Sequence, residues 1–206
     1  MALGESEVHV WRTSLCSGWE LAWEILSAEE KARAEQFHFE RDKRRFVLCR
    51  AALRGQIARY TGVAPQDAAL EYGPFGKPRL PASCRLEFNV SHSGDAALLA
   101  FARHAVGVDI EAIRPVRHAL SVAESFFAPS EIADLRLVEP AELDAAFLRC
   151  WTRKEARAKG LGEGLSGPDR NRELGNWRFH DLDAGPGFMA ALAVDCADAA
   201  VIQRSL

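Results

Sequence analysis

Two acidic side chains, Asp109 and Glu111, sit two positions apart in Gly107-Val108-Asp109-Ile110-Glu111. Apolar residues alternate with them, so the segment reads as a β-strand with Val106, Val108 and Ile110 facing a core. The carboxylates then share the other face, roughly 7 Å apart, and repel by about 2 kcal/mol at an effective dielectric near 20. A solvated strand face tolerates such a pair, whereas a hard divalent cation removes the penalty. Magnesium suits it, because it takes oxygen ligands from one or two carboxylates and completes its shell with water and phosphate. Farther along, Trp151, Glu155 and Lys159 fall at i, i+4 and i+8 of a helical run and share one face. An exposed Glu-to-Lys pair adds only roughly a few tenths of a kcal/mol. A tryptophan heading that face buries part of it, however, which makes Glu155 a candidate third carboxylate and leaves Lys159 for phosphate.

Groups suited to anions lie elsewhere. Ser91-His92-Ser93-Gly94-Asp95 holds serine, histidine and aspartate, but a catalytic triad converges from separate segments, and the G-x-S-x-G elbow does not occur. A polar hairpin tip of small residues holds phosphate instead, unless it is an ordinary turn. Residues 41–59 carry Arg41, Lys43, Arg44, Arg45, Arg50, Arg54 and Arg59 against Asp42 alone, so a polyanionic ligand is credible. Nucleic acid competes for this run, yet its aromatics, Phe46 and Tyr60, occupy core-like positions and are not interleaved for stacking. Lys77, lifted on the turn Gly73-Pro74-Phe75-Gly76-Lys77-Pro78, adds another phosphate-seeking cation.

The elements that must place these groups follow from periodicity and punctuation. Val8 and Val10 mark an edge strand, followed by a helix over residues 20–26. Ser27 with Glu30 forms a capping box for a second helix that ends near Phe39. A longer helix spans residues 42–60, with Phe46, Leu53 and Ile57 as its apolar stripe, and Gly62 stops it. Residues 86–90 and 96–102 read as a hairpin around 91–95, and 106–111 as a strand. Helices over 120–127, 130–138 and 141–159 come next, then a flexible loop with Gly160, Gly162, Gly164, Gly167 and Pro168. Strands at 177–180, 188–194 and 199–204 close the chain. This order fits an α+β fold better than a regular βαβ alternation.

With 206 residues, 48% hydrophobic and 27% charged, the chain has the balance of a soluble globular protein. Its 26 basic and 29 acidic side chains nearly cancel, so bulk charge favours neither a nucleic-acid coat nor a membrane surface. The five cysteines, Cys16, Cys49, Cys84, Cys150 and Cys196, are odd in number and scattered, as expected of reduced thiols in a cytoplasmic protein. The first ten residues hold Glu5, Glu7 and His9, unlike a signal peptide, and no uncharged run approaches the roughly 20 residues of a membrane span.

Five segments also match a known family in order and spacing. They are residues 73–78 (G-x-x-G-K-P), 88–95 (F-N-V-S-H-S-G-D), 107–111 (G-V-D-I-E), Phe126-Phe127 followed by Glu131, and 151–165 (W-T-x-K-E-A-x-x-K-G-x-G-x-G-L). In these the chain resembles the 4′-phosphopantetheinyl transferases, specifically the larger, surfactin-type (Sfp-type) group. The resemblance implies a monomer of two pseudo-symmetric lobes, here 1–103 and 104–206, each a small antiparallel sheet packed with helices, with the active site in the cleft between them. It implies coenzyme A as co-substrate, an apo acyl or peptidyl carrier protein as acceptor, and Mg²⁺, with Mn²⁺ as a substitute. Carried over position by position, Asp109, Glu111 and Glu155 look like metal ligands. Lys77, Ser91, His92, Arg45, Arg33, Lys154 and Lys159 look like coenzyme A contacts. Glu155, or Glu131 through water, would take the serine proton, and Lys159 would meet the departing phosphate. Glu30, where some members carry a basic residue, and Phe46, in place of a small hydroxyl residue, depart from the pattern. Arg50 or Arg54 would compensate. A magnesium-dependent phosphohydrolase acting on a nucleotide-type pyrophosphate would use the same groups, and a nucleotide- or RNA-binding module would use the basic helix alone.

Overall fold

The computed structural model describes residues 1–164 and 176–206. β1 (Glu7–Ser14) buries Val8 and Val10 on one face and His9 and Trp11 on the other, so it is covered from both sides. After it the chain forms two short strands, β2 (Glu71–Tyr72) and β3 (Pro78–Arg79), which pair as a ribbon around the Gly73–Lys77 turn. β4 (Glu87–Ser93) and β5 (Ala96–Ala102) make the expected hairpin, and every residue of β5 is buried. β4 runs on to Ser93, however. Ser91, His92 and Ser93 pair with Leu98, Ala97 and Ala96, and the tip shrinks to Gly94 and Asp95, with Gly94 at φ +56°. A two-residue hairpin loop needs that left-handed backbone.

The second sheet contains β6 (Val106–Ala112), β7 (Trp177–Asp181) and β8 (Phe188–Asp195) in the order β6-β8-β7, antiparallel throughout. The last strand, β9 (Ala200–Ser205), crosses back and lies parallel to β1, giving a first sheet of order β4-β5-β1-β9. Two expectations change as a result. β1 is an internal strand, not an edge, and the first sheet is mixed, not purely antiparallel. β9 also crosses the division at 103/104, since alternation within a strand does not say which neighbour its edge will take.

The sheets share one core, in which Val8, Val10, Leu98 and Ala100 meet Val106, Val108, Ile110, Leu192 and Val194. Helices cover the outer faces. α1 (Trp19–Ile25) and α2 (Ala28–Ala34) flank α3 (Glu40–Thr61), whose Leu53 and Ile57 pack on Trp11, Phe88, Leu99 and Phe101. α2 is capped as expected, Glu30 N–H donating to Ser27 Oγ and Ser27 N–H to Glu30 Oε2. It stops at Ala34, five residues early, because Phe39 is needed in extended backbone to start α3. On the second sheet, α4 (Ala119–Phe126) and α5 (Pro129–Leu137) pack through Phe127 and Leu135 on Phe147 of α6 (Leu143–Leu161). The glycine-rich run expected after α6 reaches residues outside those described, Gly167 and Pro168 among them.

Candidate active site between the sheets

Alternation along β6 puts Val106, Val108 and Ile110 in the core and turns Gly107, Asp109 and Glu111 towards α6. Gly107 sets the spacing. A Cβ there would lie 1.9 Å from Ala156 carbonyl oxygen and 2.4 Å from Gly160 nitrogen, so α6 crosses β6 in direct backbone contact. That crossing delivers Glu155 and Lys159 to Asp109. Lys159 Nζ donates to Asp109 Oδ1 at 2.6 Å and to Ser91 Oγ at 2.9 Å. Ser91 Oγ donates to the same Oδ1 at 2.9 Å. Asp109 is 2% exposed, and its Oδ2 is buried with no hydrogen-bond partner among the described residues.

Charge around this point is unbalanced. Burial raises the Glu111 carboxyl pKa, and Asp109 raises it further, against opposing pulls from Arg114 and Lys159. Burial likewise raises Glu155; Lys159 opposes this, and Asp109 and Glu111 add to it. Three carboxylates thus crowd one ammonium. Among the described residues no three His, Cys, Asp or Glu side chains already stand as a metal-binding group; Lys159 holds Asp109 Oδ1. The donor set still fits a hard divalent cation, which would give Oδ2 a partner and relieve Glu111 and Glu155. Asp109, Glu111 and Glu155 are the side chains that would hold it.

β4 and β6 are the facing edges of the two sheets, and side chains close the gap between them. Val108 N–H donates to Asn89 Oδ1 at 2.9 Å, Ile110 N–H to Ser91 Oγ at 3.4 Å, and Ala112 N–H to Ser93 Oγ at 3.0 Å. Ser93 Oγ also reaches Glu111 Oε2 at 3.4 Å. The three side chains thus stand in for a missing strand. Sequence reasoning placed residues 91–93 in a phosphate turn and missed Asn89. The alternation N-x-S-x-S was the available signal, since it puts three acceptors on one face.

His92 projects from the other face of β4, towards the basic end of α3. Lost solvation lowers its pKa first, then Lys159 and Arg45, so cations converge on the ring and favour an anion beside it. Arg45 Nη2 lies 2.7 Å from Asp95 Oδ1. Arg33 is exposed and stacks over Phe46 at 5.5 Å. The two compensating candidates are already engaged. Arg54 is buried on Glu30 and the carbonyls of Pro65, Gln66 and Ala68. Arg50 faces Glu30 Oε1 at 3.4 Å, with Phe46 and Tyr72 on its guanidinium.

Three expected contacts point away from this cluster. Lys154 Nζ pairs with Glu131 Oε2 at 2.8 Å and lies over Phe127. Glu131 Oε2 also accepts from Ala128 N–H at 2.7 Å, capping α5. Lys77 Nζ donates to Gly160 carbonyl oxygen at 2.8 Å and reaches that of Val106 at 3.4 Å.

Comparison with known proteins gives this arrangement a family. A profile for the N-terminal part of 4′-phosphopantetheinyl transferases matches residues 9–104, and one for the 4′-phosphopantetheinyl transferase superfamily matches 105–200. HetI, a 4′-phosphopantetheinyl transferase of Nostoc, is 37% identical over 174 residues, which cover 81% of this chain and 73% of HetI. The chain belongs to the 4′-phosphopantetheinyl transferase superfamily. Its relatives within it include the Sfp transferase of Bacillus subtilis, 32% identical over 70% of this chain and 63% of Sfp. A putative 4′-phosphopantetheinyl transferase of Synechocystis, slr0495, is 40% identical over 71% of this chain. The match spans 63% of the Synechocystis protein, just under two thirds of its length. Within the superfamily the chain is of the Sfp type, with an N-terminal and a C-terminal half, each of sheet and helices.

Proposed function

We propose that this chain transfers the 4′-phosphopantetheine arm of coenzyme A to a serine hydroxyl of an apo acyl or peptidyl carrier protein, with 3′,5′-ADP leaving. The observation that carries the reading is the convergence of Asp109, Glu111, Glu155 and Lys159 beside Ser91, with Asp109 Oδ2 unpartnered among the described residues, in a chain of this superfamily. Asp109, Glu111 and Glu155 would hold Mg²⁺, or Mn²⁺ in its place. When bound, the metal neutralises charge developing on the pyrophosphate.

The side chains of the protein do the rest. Arg45 and the exposed Arg33, with the imidazole of His92 beside the charges of Lys159 and Arg45, form the flank that receives the nucleotide phosphates. Ser91 holds Asp109 in place and, accepting from Ile110 N–H, ties β4 to β6. Glu155, which α6 brings beside Asp109 and Glu111, takes the proton of the attacking serine. It is better suited than Glu131, whose Oε2 is committed to Ala128 and Lys154. Lys159 swings from Asp109 to the oxygen of the leaving phosphate. All of these groups come from one chain, so a monomer suffices. All five thiols are free, in keeping with a cytoplasmic protein. Among the described residues no helix is long and apolar enough to cross a membrane.

The test is transfer of a labelled arm from coenzyme A to a purified apo carrier protein. Transfer should require divalent metal and fall at least about a hundredfold in Asp109→Ala, with the melting temperature retained. Full transfer in excess chelator would overturn the metal assignment. Failure to label any apo carrier would overturn the reaction.

A further inference from the structure

A helix ends with carbonyls that have no partner inside it, and the end of α6 shows where each one goes. The carbonyls of Ala158 and Lys159 are taken by the N–H groups of Gly162 and Glu163. The next carbonyl, Gly160, accepts from the ammonium of Lys77 at 2.8 Å. The lysine stem runs over the end of the helix, its Cδ 3.6 Å from the Cβ position of Gly162. The ammonium also faces the carbonyl of Val106, at the start of β6, at 3.4 Å. One side chain from the first half therefore grips the C-terminal end of α6 and the first residue of β6 together. Its charge suits the negative end of the helix dipole.

These are the two elements that carry the acidic cluster, Asp109 and Glu111 on β6 and Glu155 on α6, together with Lys159. The grip lies one residue from Lys159 and from Gly107, where α6 and β6 touch. We propose that Lys77 is a positioning residue, not a phosphate contact: it clamps α6 to β6 and thereby sets the spacing of the carboxylates that receive the metal. This deepens the magnesium reading above and rests on it. The turn that presents Lys77 supports the assignment. Gly73 and Lys77 close it through backbone, Gly73 N–H donating to the Lys77 carbonyl at 3.0 Å, and the side chain leaves it towards the second half while Phe75 faces solvent.

The experiment compares the parent protein with Lys77→Met, which keeps the stem and removes the ammonium, and with Lys77→Arg. Calorimetry would measure binding of Mg²⁺ alone, and separately of coenzyme A and 3′-dephospho-coenzyme A without metal. A clamp predicts that Lys77→Met weakens Mg²⁺ about tenfold, in the range for groups that orient metal ligands, and lowers kcat. Both coenzyme A forms would keep their affinities within about twofold, and Lys77→Arg would recover most of the Mg²⁺ affinity. Unchanged Mg²⁺ affinity with weakened coenzyme A would overturn the clamp. In that case selective loss of coenzyme A over the dephospho form would assign Lys77 to the 3′-phosphate, and equal loss to the pyrophosphate. Were Lys77→Met not to fold, Lys77→Gln, which keeps an N–H donor without charge, would carry the same comparison. If the parent itself bound no Mg²⁺, the metal reading would fall and the clamp with it. If the parent bound and Lys77→Met bound equally well, only the clamp would fall.

Discussion

Lys159 and Asp109 hold each other at 2.6 Å, and the remaining acids, Glu111 and Glu155, are left with raised pKa values in a half-buried pocket. Both groups bind protons more tightly in the folded chain than in the unfolded one. Their contribution to stability is therefore fully present below the unfolded pKa and is lost as pH rises through the folded one. In chelator, the melting temperature should thus fall more in the parent than in Glu111→Gln as pH rises from the ordinary glutamate range towards neutrality. Magnesium should reverse the loss, with a larger stabilisation at the upper pH. Thermal melts with and without metal across that interval check this; a metal-induced shift that shrinks as pH rises would contradict it. The acids themselves were legible, because strand alternation fixes which side chains share a face. The ion pair was not, since Lys159 arrives from fifty residues away. Glu30 shows the opposite limit. A glutamate where the family resemblance implies a base in some members reads as a defect in a phosphate site, yet it is 3% exposed and bonded to Arg54 and its own cap. A local window cannot show that Arg54, twenty-four residues away, would claim it.

Two edges and one helix give these residues their geometry. β4 lends Asn89, Ser91 and Ser93 to the backbone of β6, and α6 lies against Gly107 closely enough to exclude any side chain. Helix limits and the β4–β5 hairpin follow from caps and alternation, so they were readable to within a few residues. The edge-to-edge seam was missed, because the alternation N-x-S-x-S marks a polar face without showing which strand that face will meet. Gly107 looked like part of a motif, and its reason is steric. Gly107→Ala would place a methyl on backbone atoms that cannot rotate away, so it should destabilise the fold by about 3 kcal/mol and weaken Mg²⁺ through displacement of α6. Gly160→Ala, which meets the Trp177 ring at 2.5 Å, should cost less, since a side chain can shift. Denaturant melts of the two variants test the ranking. Gly107→Ala within about 0.5 kcal/mol of the parent would mean that α6 has room to move.

Across the whole molecule the near-neutral charge hides a polarised surface. The basic N-terminal part of α3, with Arg45, faces His92 of β4, and Arg114, Arg117 and His118 lie exposed beyond β6. Arg114 is close enough to pull the Glu111 pKa down, so this rim borders the proposed metal site directly. The half-buried Val122 and Phe126 of α4 follow it in the chain. If the proposed acceptor is an acidic helical carrier, as the family resemblance implies, a cationic rim would steer it towards the cleft. Each exposed pair is worth at most about 1 kcal/mol, and reversing two charges turns attraction into repulsion. Arg114→Glu/Arg117→Glu should therefore raise KM for the carrier roughly tenfold, with coenzyme A affinity and melting temperature nearly unchanged. The defect should shrink as added salt brings the screening length below about 10 Å, because the wild-type attraction is screened along with the repulsion in the variant. Steady-state kinetics against carrier concentration at low and high salt measure both effects. An unchanged KM at low salt would move the docking surface to another side of the cleft, with the Arg45 flank next to be tested.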